Sequence, residues 1–153
     1  MNATALRIAL QDAASTRALG RALSQAVQGG LAICLRGALG AGKTTLCQGF
    51  IEDRTGIPFA PSPTFTLLQA YPGGLYHLDL YRLEATDLQE FGIEEIMAPD
   101  AVLLVEWPER AEPALPDDRL EVRLRGDGLS RNAELTARGA AAEAALRRLR
   151  WPA

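Results

Sequence analysis

Lysine is almost absent from this chain. Lys43 stands alone among fifteen arginines, and histidine is as scarce, with His77 alone. There are two cysteines, Cys34 in an apparent strand and Cys47 in an apparent helix. That is too few for a disulfide framework, and they read as buried thiols in a reducing compartment. No apolar run approaches the ~18 residues of a transmembrane helix. The opening residues, MNATALRIAL, lack a basic region followed by a cleavage site. A cytoplasmic location without membrane association is therefore expected. The net charge of −3 excludes a whole-domain basic field that would draw the chain to nucleic acid or membrane. Internal repeats are also missing.

What is present fits one compact unit. A chain of 153 residues with 48% hydrophobic and 23% charged side chains is long enough to bury a core without staples, so residues 1–153 are expected to form a single domain. LRIAL (6–10) reads as a strand. A helix capped by Ser15 or Thr16 runs to about Val27, with Leu19, Leu23 and Val27 on one face. LAICLRG (31–37) is apolar enough for a strand covered on both sides. A helix follows over about 43–53. Three prolines make 56–65 a loop. TLLQAY (66–71) and LYHLDLYR (75–82), joined by Pro72-Gly73-Gly74, read as a hairpin or two neighbouring strands. Residues 85–97 read as a helix broken near Gly92, 101–107 as a buried strand, 119–126 and 133–139 as an antiparallel pair, and the alanine-rich end as a helix. Alternating buried strands and helices predict an α/β domain with a mixed, mostly parallel sheet flanked by helices and closed by an antiparallel C-terminal hairpin.

The lone lysine has a specific setting. Gly37-Ala-Leu-Gly40-Ala41-Gly42-Lys43-Thr44 matches G-x-x-x-x-G-K-[ST], between a buried strand and a helix. Glycines let the backbone turn its N–H groups toward phosphate oxygens, and the helix N-terminus adds its dipole. Lys43 reaches the β- and γ-phosphates as a compact point charge, and Thr44 offers its hydroxyl to Mg²⁺. The planar, bidentate fork of arginine suits that position poorly, which accounts for the single lysine. GTPases usually read guanine with N-K-x-D, a loop this chain has no second lysine to build, so ATP is favoured.

Two carboxylates accompany the loop. In LYHLDLYR, alternation places Leu75, His77, Asp79 and Tyr81 on one face, an unusual set for a core. Asp79 within a strand needs a cation or several donors, which Mg²⁺ held by Thr44 would supply. Glu106 ends the buried strand AVLLVEW, where glycine-loop NTPases keep the acid that holds the metal shell or orients water. Division of those roles between Asp79 and Glu106 stays open, as does His77, structural or catalytic. Trp107 covers the nucleotide or a partner surface, or simply packs. Thr64 either senses the γ-phosphate or follows a turn tied by Ser62, and the arginines of LRRLR either complement a helix dipole or touch RNA.

GALGAGKTTL, SPTFTLLQAY, YHLDLYRL and VLLVEWPER, in this order, resemble the TsaE (YjeE) family of bacterial tRNA threonylcarbamoyladenosine biosynthesis. The resemblance implies a single P-loop domain that binds and hydrolyses ATP with Mg²⁺. It also implies work alongside TsaD and TsaB, which transfer threonylcarbamoyl to the adenosine next to the anticodon, so that tRNA is met only through that complex. Carried over by motif, Gly37, Gly40, Ala41, Gly42, Lys43, Thr44 and Thr45 bind phosphate. Thr44, Glu106 and Asp79 are the metal-associated residues, and Lys43, Glu106 and Asp79 the catalytic ones. Thr16 and Arg131 match weaker nucleotide-contacting positions. Two other readings remain: a small-molecule kinase on the same loop, for which the chain shows no arginine-rich lid insertion, and a nucleotide-gated scaffold with little hydrolysis.

Overall fold

The computed structural model describes residues 5–63, 66–83, 96, 98–127 and 130–152. Strands β1 (Ala5–Leu10), β2 (Leu31–Arg36), β3 (Leu68–Tyr71), β4 (Leu75–Asp79), β5 (Val102–Glu106), β6 (Arg119–Asp127) and β7 (Ser130–Arg138) form one sheet in the order β1-β7-β6-β2-β5-β4-β3. The pairings β6–β2, β2–β5 and β5–β4 are parallel and lie at the centre, while β1–β7, β7–β6 and β4–β3 are antiparallel and lie outside them. The sheet is therefore mixed, as expected, with the antiparallel hairpin β6–β7 as its last two strands in sequence. Position follows composition. Every residue of β5 is buried, and so is every residue of β2 before Arg36, because both strands are apolar on both sides.

Helices α1 (Ala13–Ala26), α2 (Lys43–Thr55) and α3 (Ala140–Arg148) share one core with the sheet: Leu19 and Leu23, Phe50 and Ile51, and Ala145 and Leu146 meet Ile33, Leu104, Val122 and Leu135. On the other side Cys34, Leu78, Leu103 and Val105 pack with Leu80, Leu83, Ala111 and Leu115, the last two from the proline-rich connector after β5, which folds as two short 3-10 turns. Helix α1 crosses α2 at two glycines. A Cβ on Gly20 would lie 2.1 Å from the Leu46 carbonyl oxygen, and one on Gly49 would lie 2.0 Å from that of Arg17. This contact fixes α2, and with it the start of the glycine loop's helix.

Two expectations are corrected. The cap of α1 is Asp12, neither Ser15 nor Thr16: its carboxylate accepts from the Ser15 N–H at 2.8 Å, so the helix starts at Ala13. The face of β4 carrying His77 and Asp79 is also core. His77 is wholly buried and Asp79 is nearly so, which is possible because each finds a polar partner. The helix expected over 85–97 falls, apart from Ile96, outside the described residues, and so does Thr64.

Candidate nucleotide-binding site

The glycine loop leaves β2 and enters α2. Gly42, the N-cap of α2, has φ of 109°, a left-handed value that a side chain resists. It brings no capping side chain, and the first turn holds no acid, in contrast to the Asp12 cap of α1. The leading N–H groups of α2 thus keep their donor capacity and dipole for an anion. Lys43 Nζ donates to the carbonyl oxygens of Gly37 and, at 3.1 Å, Ala38, and it lies 3.9 Å from the centre of the Trp107 ring. Burial holds its ammonium pKa below the ordinary 10.5, against the opposing pull of Glu106, Glu109 and Asp79.

Asp79 and Glu106 are register partners on the parallel strands β4 and β5. That pairing brings both acids to one end of the sheet, beside the loop. Thr44 Oγ1 donates to the Glu106 carboxylate, 3.0 Å from Oε1 and 3.2 Å from Oε2. His77 Nε2 lies 2.6 Å from Glu106 Oε2. Facing a carboxylate, Nε2 donates, so His77 holds Glu106 from behind while its Nδ1 has no partner among the described residues. Asp79 is tied elsewhere: Ser62 Oγ donates to its Oδ2 at 2.6 Å and the Tyr81 N–H to its Oδ1 at 3.1 Å. The two carboxylates thus face different partners, Glu106 the loop and Asp79 the proline-rich segment.

Lys43, Thr44, Ser62, Asp79, Glu106 and Trp107 wall a cleft of about 400 Å³, with Tyr81 and Arg82 also on its surface. The oxygen donors of Thr44, Glu106 and Asp79 suit a hard divalent cation. Cys47, His77 and Glu106 also cluster, their donor atoms within 4.8 Å of one another. Burial pushes the Cys47 thiol well above 9.0, however, and a thiol that keeps its proton packs as a small hydrophobe rather than serving as a thiolate ligand.

The expected residues gather unevenly. Gly40, Gly42, Lys43, Thr44, Thr45, Asp79 and Glu106 line the cleft. Ala41 is buried and Gly37 lies behind the loop, accepting from Lys43. Arg131 reaches over from β7 to donate to the carbonyls of Ala41 and Gly40, each at 2.7 Å, and so braces the loop backbone. Thr16 is buried, with its hydroxyl on the Asp12 carbonyl, and its methyl would lie 3.4 Å from a Cβ at Gly42. Sequence reading missed the His77–Glu106 bond, the Ser62–Asp79 bond and the cleft positions of Tyr81 and Arg82. Strand alternation placed Tyr81 and Arg82 on opposite faces, but β4 ends at Asp79 and both reach the cleft from the turn that follows. Tyr81 also packs on Trp107, ring centroids 4.8 Å apart.

Known proteins agree with this arrangement. Residues 10–133 match the family model described as threonylcarbamoyl adenosine biosynthesis protein TsaE. The tRNA threonylcarbamoyladenosine biosynthesis protein TsaE of Nostoc sp. is 41% identical over 138 residues, covering 85% of either chain. That of Bacillus subtilis is 36% identical over 116 residues, 74% of this chain and 73% of its own. The crystal structure of Bacillus subtilis YdiB superposes with a TM-score of 0.79 at 30% identity, over 96% of this chain and 95% of that one. With the glycine loop, both acids and strands β2 to β6 inside the matched residues, the chain belongs to the TsaE family.

Proposed function

We propose that residues 1–153 form one P-loop ATPase domain acting in tRNA threonylcarbamoyladenosine formation. It binds ATP with Mg²⁺, hydrolyses it, and works with TsaD and TsaB in the cytoplasm by nucleotide-dependent switching, without performing the transfer itself. The observation that carries this reading is the Thr44–Glu106 contact, in which a carboxylate at the end of a buried strand is bonded to the hydroxyl that follows the loop lysine.

Each residue then has a task. The N–H groups at the start of α2 bind phosphate oxygens, and Lys43 turns from the Gly37 and Ala38 carbonyls to the β- and γ-phosphates. Thr44, Glu106 and Asp79 would hold Mg²⁺, which when bound would offset the charge of the phosphates. Glu106, steadied by His77, orients the attacking water or the metal's hydration shell. Asp79 links the site to Ser62 and the proline-rich segment, a route by which the nucleotide state would reach the surface. Arg131 keeps the loop in shape, and Trp107 lies over the Lys43 ammonium.

The direct test is phosphate release from ATP by the purified chain, alone and then with TsaD and TsaB. Slow turnover that rises with the partners and vanishes in Lys43→Ala is expected. Fast turnover independent of the partners, or none in their presence, would rule out a partner-dependent ATPase.

A further inference from the structure

Opposite the helices, the sheet is open at β6, β7 and β1. Leu120, Val122, Leu124, Leu135 and Ile8 point into the helix-side core, so the alternate residues of these strands point the other way. Register sets four of them in one row across four strands: Arg36 beside Arg123, Arg123 beside Glu134, and Glu134 beside Arg7. Neighbouring strands are ~4.8 Å apart, so this row holds three cations and one anion at close range. Two rows along the same face, Arg119 stands directly opposite Arg138. Like charges directly opposite each other destabilise a sheet unless something neutralises them.

Among the described residues, only part of this face is neutralised. Glu134 gives its carboxylate to Arg7 at 3.2 Å, although Arg123 is its neighbour on the other side. Glu121 and Glu112 are shared between Arg36 and Arg119. That leaves Arg123, Arg125 and Arg138, all exposed, without a hydrogen bond or ion pair among the described residues. Two depressions, of about 400 and 300 Å³, meet at Arg123 and Glu134 and so run together across the face. Their lining contains no aromatic and no large aliphatic side chain.

We infer that this arginine face docks the phosphate backbone of an RNA. A protein partner would need apolar or aromatic anchors at the centre of its interface, and the face offers none. Reading of unstacked bases would need aromatic platforms, also missing among the lining residues. What remains is a set of guanidiniums without an anionic partner among the described residues, suited to phosphates held as point contacts without sequence preference. The acidic whole carries a local basic field here, and Arg36, next to Gly37, joins that face to the start of the glycine loop. The inference does not rest on the ATPase reading, since the three unpaired arginines take no part in the cleft.

Fluorescently labelled bulk tRNA, titrated with the full chain and followed by anisotropy at rising salt, tests this. The unmodified chain is expected to bind at low salt and to weaken steeply as salt rises. Arg123→Gln/Arg125→Gln/Arg138→Gln is expected to bind at least about tenfold more weakly, with a log–log salt slope shallower by about one per arginine removed. Glu134→Gln, which removes the acid from the row, should bind more tightly. Basal phosphate release and the folded circular dichroism spectrum should not change in either variant. No binding by the unmodified chain at low salt, or equal affinity and slope in the triple variant, would overturn the inference. Loss of a protein partner with tRNA binding intact would overturn it too, and would assign the face to an acidic protein instead.

Discussion

At Lys43 the chemistry depends on a compact ammonium. Its Nζ lies between two loop carbonyls and the Trp107 ring, space that a planar guanidinium would have to share. Lys43→Arg should therefore fail as Lys43→Ala does, with both losing ATP turnover, measured as phosphate release. Glu106 is a different case, because its contacts are the Thr44 hydroxyl and the His77 ring rather than the loop backbone that would cradle phosphate. Glu106→Ala is expected to keep ATP binding, measured by calorimetry, and to lose about 10²-fold or more in hydrolysis, the scale on which removing one preorganised polar group acts. Parental turnover in Glu106→Ala would place the water-orienting acid elsewhere, with Asp79 next. Lys43, Thr44 and the strand-end acid could be read from a contiguous motif and a strand tip. The histidine behind that acid could not, since β4 and β5 are separated in sequence and only their pairing brings the two side chains together.

Helix α2 carries the loop's anion-binding end, and its seat is set by backbone contact with α1. Gly49 faces the Arg17 carbonyl so closely that a methyl would overlap backbone rather than a movable side chain. Gly49→Ala is expected to cost about 3 kcal/mol or more in a urea titration, at or beyond the upper end of what overpacking costs, with weakened ATP binding as α2 shifts. A gain in stability, as replacing glycine in an unhindered helix would give, would mean that the two helices have room to part. Helix α3 is tied in the same manner: Arg148 donates to the Ala26 carbonyl at 2.7 Å, at the end of α1. For that arginine the structural role is the observed one.

Across the whole molecule, burial of both thiols links stability to pH. Burial chiefly, with Glu121 adding, pushes the Cys34 thiol from 9.0 up to about 12, and burial raises Cys47 in the same direction. The folded chain therefore keeps a proton that the unfolded chain releases. The stabilisation is complete below pH 9.0 and is lost as pH rises toward about 12. Urea midpoints should fall over that window, and fall less in Cys34→Ala. An equal slope in the two chains would show that other groups set the alkaline limit. No described helix is long and apolar enough to cross a membrane.

Local pattern was enough for the strand–loop–helix of the glycine motif, for the two fully buried strands and for the final hairpin, because each depends on residues adjacent in the chain. It was enough, too, to name Asp79 and Glu106, since a carboxylate in or at the end of an apolar strand must answer to a partner. Partner identities were settled by packing. Parallel pairing of β4 with β5 set Asp79 beside Glu106 and His77 behind it, and turned a face that looked too polar for a core into a buried, bonded one. The same holds for the arginine row, whose members come from four strands between Arg7 and Glu134 and line up only through the register of those strands. Hydrophobic period and turn chemistry act over a few residues, whereas strand order and register depend on the free energy of the assembled sheet, which no short stretch of sequence contains.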